Sequence, residues 1–298
     1  MKKRRAIIVC ICILAAAAFT LALALPKKSY AAIGRNARKH YAEYETRHSD
    51  PQDEPAKDED NDSSEFWFPV PEGYLNKKTD EKKYVSSINP DDTPEQWDAL
   101  EDAVQMREVS QIPADILETV STDELVLYCM NYNLFDDMFV YESMLEGFDV
   151  VKQDYDGLQL LAAREDAGTV LVNLYKAYKL NDQSQLDRYA CLRLDYLETM
   201  LAQPEILAKL TDEQCRELAA ECYNKATQIM NARNDEYGIT QALYLGMKSL
   251  MRADSEFARI VNGSDGARTF AETGVLVPRK ISNADLGAMA ARVRLVIG

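Results

Sequence analysis

Apolar residues recur along most of the chain at the three- and four-residue spacing of amphipathic helices. The clearest stripes are Met144, Phe148, Val151 and Tyr155; Val170, Leu171, Leu174, Tyr175 and Tyr178; Leu186, Ala190, Leu194, Leu197 and Leu201; Cys215, Leu218, Cys222, Ala226 and Ile229; Leu243, Met247 and Leu250; and Leu286, Met289, Val293 and Ile297. No strand-like alternation of comparable length competes. The pattern therefore predicts an all-α fold, either a multi-helix bundle or a set of right-angled helical hairpins. The one exception is a small β-hairpin predicted near residues 270–278, where Thr273-Gly274 lies between apolar residues.

Two similar helix-start signals mark corners of the predicted helical body. Residues 113–125 and 204–213 each place a proline before a short apolar run, and then a hydroxyl residue before the next helix. Pro113 and Pro204 are therefore predicted in the first turn of a short helix. The hydroxyl residues match the capping box, in which the side chains of two residues three positions apart cap the helix start. The predicted pairs are Ser121 with Glu124, Thr211 with Gln214 and Thr93 with Gln96.

The chain divides into three parts. Residues 93–298 form the predicted α-helical domain, and residues 32–92 form an acidic tether and linker. The tether contains too little apolar surface to offset the entropy of ordering, so it is predicted to be disordered. Residues 66–71, Phe-Trp-Phe-Pro-Val-Pro, interrupt it. They are either a docking motif for a partner or an anchor that pins the linker onto the helical body. The anchor is favoured because large apolar groups are costly to leave in water.

Residues 1–31 have the pattern of a targeting segment. Lys2 to Arg5 precede an apolar run from Ala6 to Leu25, and Ser29-Tyr30-Ala31 has small residues at the positions that a signal peptidase requires. The segment is either a signal peptide cleaved after Ala31 or an uncleaved single-pass membrane anchor, since the apolar run is long enough to span a bilayer. Both alternatives place the rest of the chain outside the cytoplasm, secreted or anchored by one transmembrane helix. Membrane contact is expected only through residues 6–25.

The charge balance excludes one class of partner. The formal net charge is -15, and residues 1–31 contain six basic residues and no acid. The remainder has 28 basic and 49 acidic residues, a net charge of -21. Such a surface repels nucleic acid, whose binding depends on lysine and arginine neutralising phosphates. No nucleic-acid partner is therefore expected.

The residues of the predicted domain exclude several kinds of catalysis. Both histidines, His40 and His48, lie in the tether, which removes Ser-His-Asp catalysis, Cys-His catalysis and His-ligated zinc from the folded domain. The chain has no phosphate-binding glycine loop and no nucleophile elbow. An EF-hand around Gly157 fails because Lys152 and Ala163 stand where carboxylates are required. No cofactor, cofactor-binding residue or metal site is predicted.

Four cysteines lie outside the apolar leader, namely Cys129, Cys191, Cys215 and Cys222. Cys215 and Cys222 are seven residues apart on one predicted helix, about 10.5 Å along its axis, which is too far for a disulfide. Cys215 and Cys222 could both form disulfides only if each paired with one of the other two cysteines. Because all four lie in or beside apolar stripes, free buried thiols are favoured over disulfides.

A stretch of the chain resembles uncharacterised secreted helical proteins of bacteria. The resemblance is carried by residues 147–151 (Gly-Phe-Asp-Val-Val), 157–161 (Gly-Leu-Gln-Leu-Leu) and 164–168 (Arg-Glu-Asp-Ala-Gly), and extends over about residues 106–215. It implies a secreted, all-helical protein. No activity is assigned to such proteins, so the resemblance identifies no functional residue.

A second pattern is similar to elements of the lytic transglycosylases, helical extracellular enzymes that cleave cell-wall glycan with one glutamate as acid and base. Glu142-Ser143 is followed by Gly157-Leu158-Gln159, similar to their Glu-Ser and Gly-Leu-Met-Gln elements. The methionine is missing, and residues 177–179 are Ala-Tyr-Lys where Ala-Tyr-Asn is expected. The resemblance makes Glu142 the one catalytic candidate. Ser143 with Glu146 equally forms a capping box, which explains the first element without an enzyme.

The expected function is a binding or scaffolding module at the cell surface, with an unknown protein or glycan as partner. The alternative is a carboxylate-only glycan-cleaving enzyme. Eleven tyrosines lie between Tyr128 and Tyr244, and exposed ones would suit a peptide or glycan surface. Their helical spacing favours the core over the surface. Two converging desolvated acids in a pocket would favour the enzyme, and a broad tyrosine-rich face would favour the binding module.

Overall fold

The computed structural model describes residues 68, 70–75, 81–179, 188–231 and 239–297, and every regular element in these ranges is a helix. The α-helices of the first half are α1 (Pro94–Asp98), α2 (Ala103–Val109), α3 (Ala114–Leu117), α4 (Thr122–Met130), α5 (Met144–Asp154), α6 (Asp156–Ala163) and α7 (Ala167–Ala177). Those of the second half are α8 (Arg188–Leu201), α9 (Pro204–Leu207), α10 (Asp212–Asn231), α11 (Ile239–Ala253), α12 (Ser255–Gly263), α13 (Asp265–Thr273) and α14 (Asn283–Ile297). Short 3-10 helices span Glu81–Tyr84, Phe135–Val140 and Pro278–Lys280. The prediction of an all-α, multi-helix fold is confirmed.

The β-hairpin predicted near residues 270–278 is wrong. Helix α13 continues to Thr273, and Gly274 follows it in the left-handed conformation with a φ of 68°. The Gly274 N–H donates to the Phe270 carbonyl at 2.8 Å, so this glycine closes the last turn of a helix. The Thr-Gly pair is suited to both a hairpin turn and a helix C-terminus, and the apolar residues around it belong to a helical face.

Helix α8 lies at the centre of the fold. Every residue from Cys191 to Gln203 is buried, because α8 packs against α4, α5, α7, α9 and α11. The predicted leucine stripe is therefore only one of several buried faces. Helices that are buried on all sides are normally apolar all round. The polar side chains on α8 are accordingly the unusual feature of this core.

Helices α10 and α11 form the most extensive helix pair. Arg216 donates to the Ala253 carbonyl at 3.2 Å, and Cys222 lies beside Gly246, so the two helices run antiparallel. Residues Gln241 to Met247 of α11 are all buried. Helix α14 covers the outside of α12 and contacts α10. The pair is therefore tied to the rest of the core through the contact of α11 with α8, and to the C-terminal helix through the contact of α10 with α14.

The capping predictions are confirmed where the partner is local. Ser121 accepts from the Glu124 N–H at 3.4 Å, and the Thr211 and Gln214 side chains each accept from the other's N–H. Pro204 is the first residue of α9, whereas Pro113 is the residue before α3. The capping box at Thr93 is wrong, because its hydroxyl makes both of its hydrogen bonds with the main chain of Asn89.

The ordered body includes residues on the N-terminal side of Thr93. The 3-10 helix Glu81–Tyr84 buries the Tyr84 ring, whose centroid lies 5.2 Å from that of Tyr128 in an edge-to-face contact. The Asn89 side chain is also buried. Residues 1–67, which contain the predicted leader and the acidic part of the predicted tether, lie outside the described residues. Among the helices of the described ranges, none combines the length and the apolar character needed to cross a membrane.

Candidate functional site

Helix α8 carries three charged residues into the core, namely Arg193, Asp195 and Glu198, which are 8%, 3% and 0% exposed. Charged side chains are buried at a cost of several kcal/mol unless they are paired or neutralised. Such groups are concentrated at functional sites, so their surroundings are the first place to look for chemistry.

Glu198 is bound by a tyrosine. The Tyr175 hydroxyl of α7 donates to Glu198 Oε1 at 2.6 Å, and Glu198 Oε2 has no hydrogen-bond partner in the described structure. Burial, together with the nearby charge of Asp195, raises the pKa of Glu198 well above its usual range. The geometry thus favours a protonated carboxyl group.

Lys225 of α10 closes this polar cluster. Its Nζ donates to the Tyr178 carbonyl at 2.5 Å, lies 3.1 Å from Glu221 Oε1, and is 4.8 Å from the centre of the Tyr175 ring. Burial lowers the Lys225 pKa, and the carboxylate of Glu221 opposes that shift. We call Tyr175, Glu198, Glu221, Cys222 and Lys225 the α8 polar cluster.

The α8 polar cluster is enclosed. Tyr175, Glu198, Cys222 and Lys225 are each at most 1% exposed, and only Glu221 reaches the surface. Two desolvated acids, Asp195 and Glu198, lie three residues apart on α8, and both are almost completely shielded from solvent. The arrangement can hold a proton on Glu198 and fix helices α7, α8 and α10 to one another.

Arg193 links α8 to the neighbouring helices. Its guanidinium donates to the Met130 carbonyl at the end of α4 and lies 4.6 Å from the centre of the Phe135 ring. Burial lowers its pKa to about 10, and the charges of Asp136 and Asp91 oppose the shift. A guanidinium that contacts an aromatic face and the carbonyl at a helix end stabilises the packing of the helices. We therefore assign Arg193 a structural role.

A second feature lies next to the cluster, where Phe68 enters the body. The Phe68 ring is 1% exposed and stacks on Tyr178, with the ring centres 5.3 Å apart and the planes 19° apart. Its N–H donates to the Asn131 side-chain oxygen at 2.8 Å, and the Asn131 amide group is fixed by the Leu127 carbonyl at 3.0 Å. We call the surroundings of this ring, formed by Tyr178 and Asn131, the Phe68 site.

Residues after Phe68 continue along the body. Val70, Tyr74 and Leu75 pack against the core while remaining partly exposed. Between them the chain turns, with the Tyr74 N–H donating to the Pro71 carbonyl at 3.0 Å and Gly73 at a φ of 78°, where glycine is favoured. The prediction that the aromatic run anchors the linker is therefore supported at Phe68. Phe66 and Trp67 lie outside the described residues.

Tyr178 connects the Phe68 site to the α8 polar cluster. The Tyr178 ring stacks on Phe68, and the Tyr178 carbonyl, at the end of α7, accepts from Lys225. The two features therefore form one continuous region that joins the N-terminal segment to α4, α7, α8 and α10.

The sequence-predicted catalytic candidate lies elsewhere. Glu142 is exposed at the start of α5, and the Ser143 hydroxyl accepts from the Glu146 N–H at 3.2 Å, as expected of a helix cap. Gln159 donates to the Gln153 carbonyl on the surface. A general acid of this class works in a desolvated setting that raises its pKa. The geometry around Glu142 gives the enzymatic alternative no support.

The other predicted chemical groups are in the core. All four of Cys129, Cys191, Cys215 and Cys222 are buried thiols, and none of them is in a disulfide bond in the described structure. Burial raises the thiol pKa of Cys129, Cys215 and Cys222, which makes them poor nucleophiles. The fully described tyrosines are mostly core residues, as predicted: Tyr128, Tyr132, Tyr155, Tyr175, Tyr196 and Tyr244 are all buried. Within the described ranges, no three acidic, cysteine or histidine side chains are grouped to hold a metal ion.

No family of known proteins, no curated protein and no solved structure matches this chain. Its function is therefore inferred from the contacts of its own residues.

Two of the residues in this region escaped prediction. Asn131 has no sequence signal, because its partner is 63 positions away. Glu198 escaped because acidic residues are normally exposed, and the sequence shows no partner that would bury this one.

Proposed function

We propose that the chain is a binding or scaffolding module that acts outside the cytoplasm, at the cell surface. One observation carries the proposal: the helical body holds a non-helical segment by an aromatic side chain and a main-chain N–H at the Phe68 site. Peptide-binding modules use the same two elements, a main-chain hydrogen bond for affinity and a side-chain pocket for specificity.

The buried chemistry fits a binding module better than an enzyme. Several groups whose pKa is raised well above its usual value, among them Glu198 and Tyr175, are enclosed in the core. Catalysis needs such groups beside a substrate. The free thiols are compatible with an oxidising compartment, because buried thiols with a raised pKa resist oxidation. The basic and apolar residues 2–25 support an extracellular location on sequence grounds.

The test uses the chain from residue 32 onward, immobilised and exposed separately to purified peptidoglycan and to a cell-surface extract. The expected result is saturable retention of one of them, competed by the soluble chain. The control variant is Val104→Ser, which changes an exposed apolar side chain far along the chain from the Phe68 site. It should retain the ligand as well as the wild-type chain does. Retention no greater than that of a blank matrix would count against a binding module.

The same preparation tests the enzymatic alternative. The wild-type chain is expected to release no soluble fragments from peptidoglycan. Release that disappears in Glu142→Gln would instead establish the glycan-cleaving activity and overturn the proposal.

A further inference from the structure

We propose that the Phe68 site binds a peptide in trans, one that presents an aromatic residue with a free main-chain N–H, and that Phe68 occupies the site in cis. The inference rests on the proposed binding function and names its ligand class. Phe68 then competes with the peptide from within the same chain and keeps the site closed until a peptide displaces it.

The contacts define what the site selects. A flat ring is required, because the Tyr178 ring lies nearly parallel to that of Phe68. The residue cannot be proline, because the Asn131 side-chain oxygen accepts from the N–H of the anchor residue itself. The Asn131 amide is held in place by the Leu127 carbonyl, so the acceptor is positioned before the peptide arrives.

Phe68 can leave the site without melting an element. It belongs to no helix, and the hydrogen bond to Asn131 joins residues 63 positions apart. Departure breaks the hydrogen bond to Asn131 and the ring contact with Tyr178, while the turn at Pro71–Tyr74 and the 3-10 helix Glu81–Tyr84 can stay in place. Such a local opening exposes a ring that is 1% exposed in the closed state, so it has a free-energy cost that the incoming peptide must offset.

Cis occupancy has a measurable consequence. A tethered ligand has an effective concentration in the millimolar range, which a free peptide must overcome. A variant with a weakened cis anchor should therefore bind the peptide at least about tenfold more tightly than the wild-type chain.

The experiment titrates a labelled peptide with the sequence of residues 64–75, Ser-Glu-Phe-Trp-Phe-Pro-Val-Pro-Glu-Gly-Tyr-Leu, into the chain from residue 32 onward. The protein variants are Phe68→Leu, which keeps an apolar side chain but not the stacked ring, and Phe68→Ala. Circular dichroism establishes which of them are folded, and Phe68→Leu serves if Phe68→Ala is not. Two peptide controls carry either alanine or N-methyl-phenylalanine at the position of Phe68.

Tighter binding to a folded Phe68 variant than to the wild-type chain, by about tenfold or more, supports the inference. The peptide with alanine at the position of Phe68 should not bind. The peptide with N-methyl-phenylalanine, which lacks only the N–H of the anchor residue, should bind about fivefold to tenfold more weakly. Equal affinity for wild type and variant, or no binding to a folded variant, would overturn it. If the peptide fails while the wild-type chain still retains a cell-surface component, the trans site is wrong and the broader binding function stands.

Discussion

At the scale of single residues, the buried carboxyl group of Glu198 has the clearest measurable consequence. It is fully buried, bonded to Tyr175 on one oxygen, and next to Asp195. Its pKa is raised in the folded chain, so the folded state holds a proton that the unfolded state releases above about pH 4.3. The contribution of Glu198 to stability is therefore largest in acid and is lost as the pH rises towards its folded pKa.

Substitution Glu198→Gln should remove this dependence, because glutamine keeps the acceptor for Tyr175 and cannot ionise. The difference in the free energy of unfolding, wild type minus variant, should fall by about 1.4 kcal/mol per pH unit above about pH 4.3, for as long as Glu198 stays protonated in the folded state. Urea unfolding between pH 4.5 and 7 measures it. Parallel curves for the two proteins would show that Glu198 is ionised in the core.

Glu205 provides a control of opposite sign. Burial pushes its pKa up, but the hydrogen bond from Lys152, a backbone hydrogen bond and the charges of Lys152 and Lys209 together outweigh burial, and the net pKa is lowered. Its contribution is therefore present above its unfolded pKa and lost as the pH falls through the lower folded value. The effect of Glu205→Gln on stability should accordingly disappear in acid, whereas the stability difference between the wild type and Glu198→Gln is largest there.

At the scale of elements, the local sequence predicted where helices begin better than it predicted where they end or which residues their capping side chains bind. Ser121 and Thr211 cap their helices because both members of each pair lie within four residues. The Thr93 cap failed because Asn89, a competing partner, lies on the other side of it. The hairpin prediction failed because Gly274 allows a left-handed residue in a turn and at a helix end alike.

Two glycines should respond oppositely to alanine. A Cβ at Gly147 of α5 would lie 2.0 Å from the Met138 carbonyl oxygen, so α5 must move away from the 3-10 helix Phe135–Val140. Gly147→Ala should lower the free energy of unfolding by about 1–3 kcal/mol or more. Gly287→Ala in α14 meets nothing within 4 Å and should raise it by about 0.5–1 kcal/mol. Denaturant midpoints test both, and a stabilising Gly147→Ala would contradict the close contact of α5.

The Phe68 anchor should contribute to the stability of the whole domain. Phe68→Ala should lower the free energy of unfolding by about 3–5 kcal/mol, the usual cost of truncating a buried phenylalanine. Val104→Ala, at a side chain that is 56% exposed, should change it by less than about 0.5 kcal/mol. Urea unfolding of both variants provides the comparison, and equal stabilities would mean that the Phe68 ring is not part of the core.

At the scale of the whole molecule, periodicity predicted that the chain is all-α and that the tyrosine rings belong to the core. It could not predict that α8 is central, since a helix buried on all sides has no single apolar face and charged residues such as Arg193, Asp195 and Glu198 are normally exposed. The Phe68 site was equally out of reach, because it depends on how α4 and the end of α7 meet.

The state of the cysteines tests whether the core is as closed as described. In the chain from residue 32 onward, the native protein should react slowly with a thiol reagent, because Cys129, Cys191, Cys215 and Cys222 are all buried. After unfolding without a reductant, four thiols should react. A count below four would reveal a disulfide, and rapid reaction of the native protein would mean that the core opens readily.

The most direct measurement of the Phe68 site is hydrogen–deuterium exchange at the Phe68 amide in the intact chain. That N–H is bonded to Asn131, so it should exchange more slowly than a free amide. An excess of the peptide with the sequence of residues 64–75 should accelerate its exchange by displacing the ring, while the amide of Leu125 in α4 stays unchanged. Two results would contradict a cis-occupied binding site: a Phe68 amide that exchanges as fast as a free amide without peptide, or an exchange rate that a saturating peptide does not change.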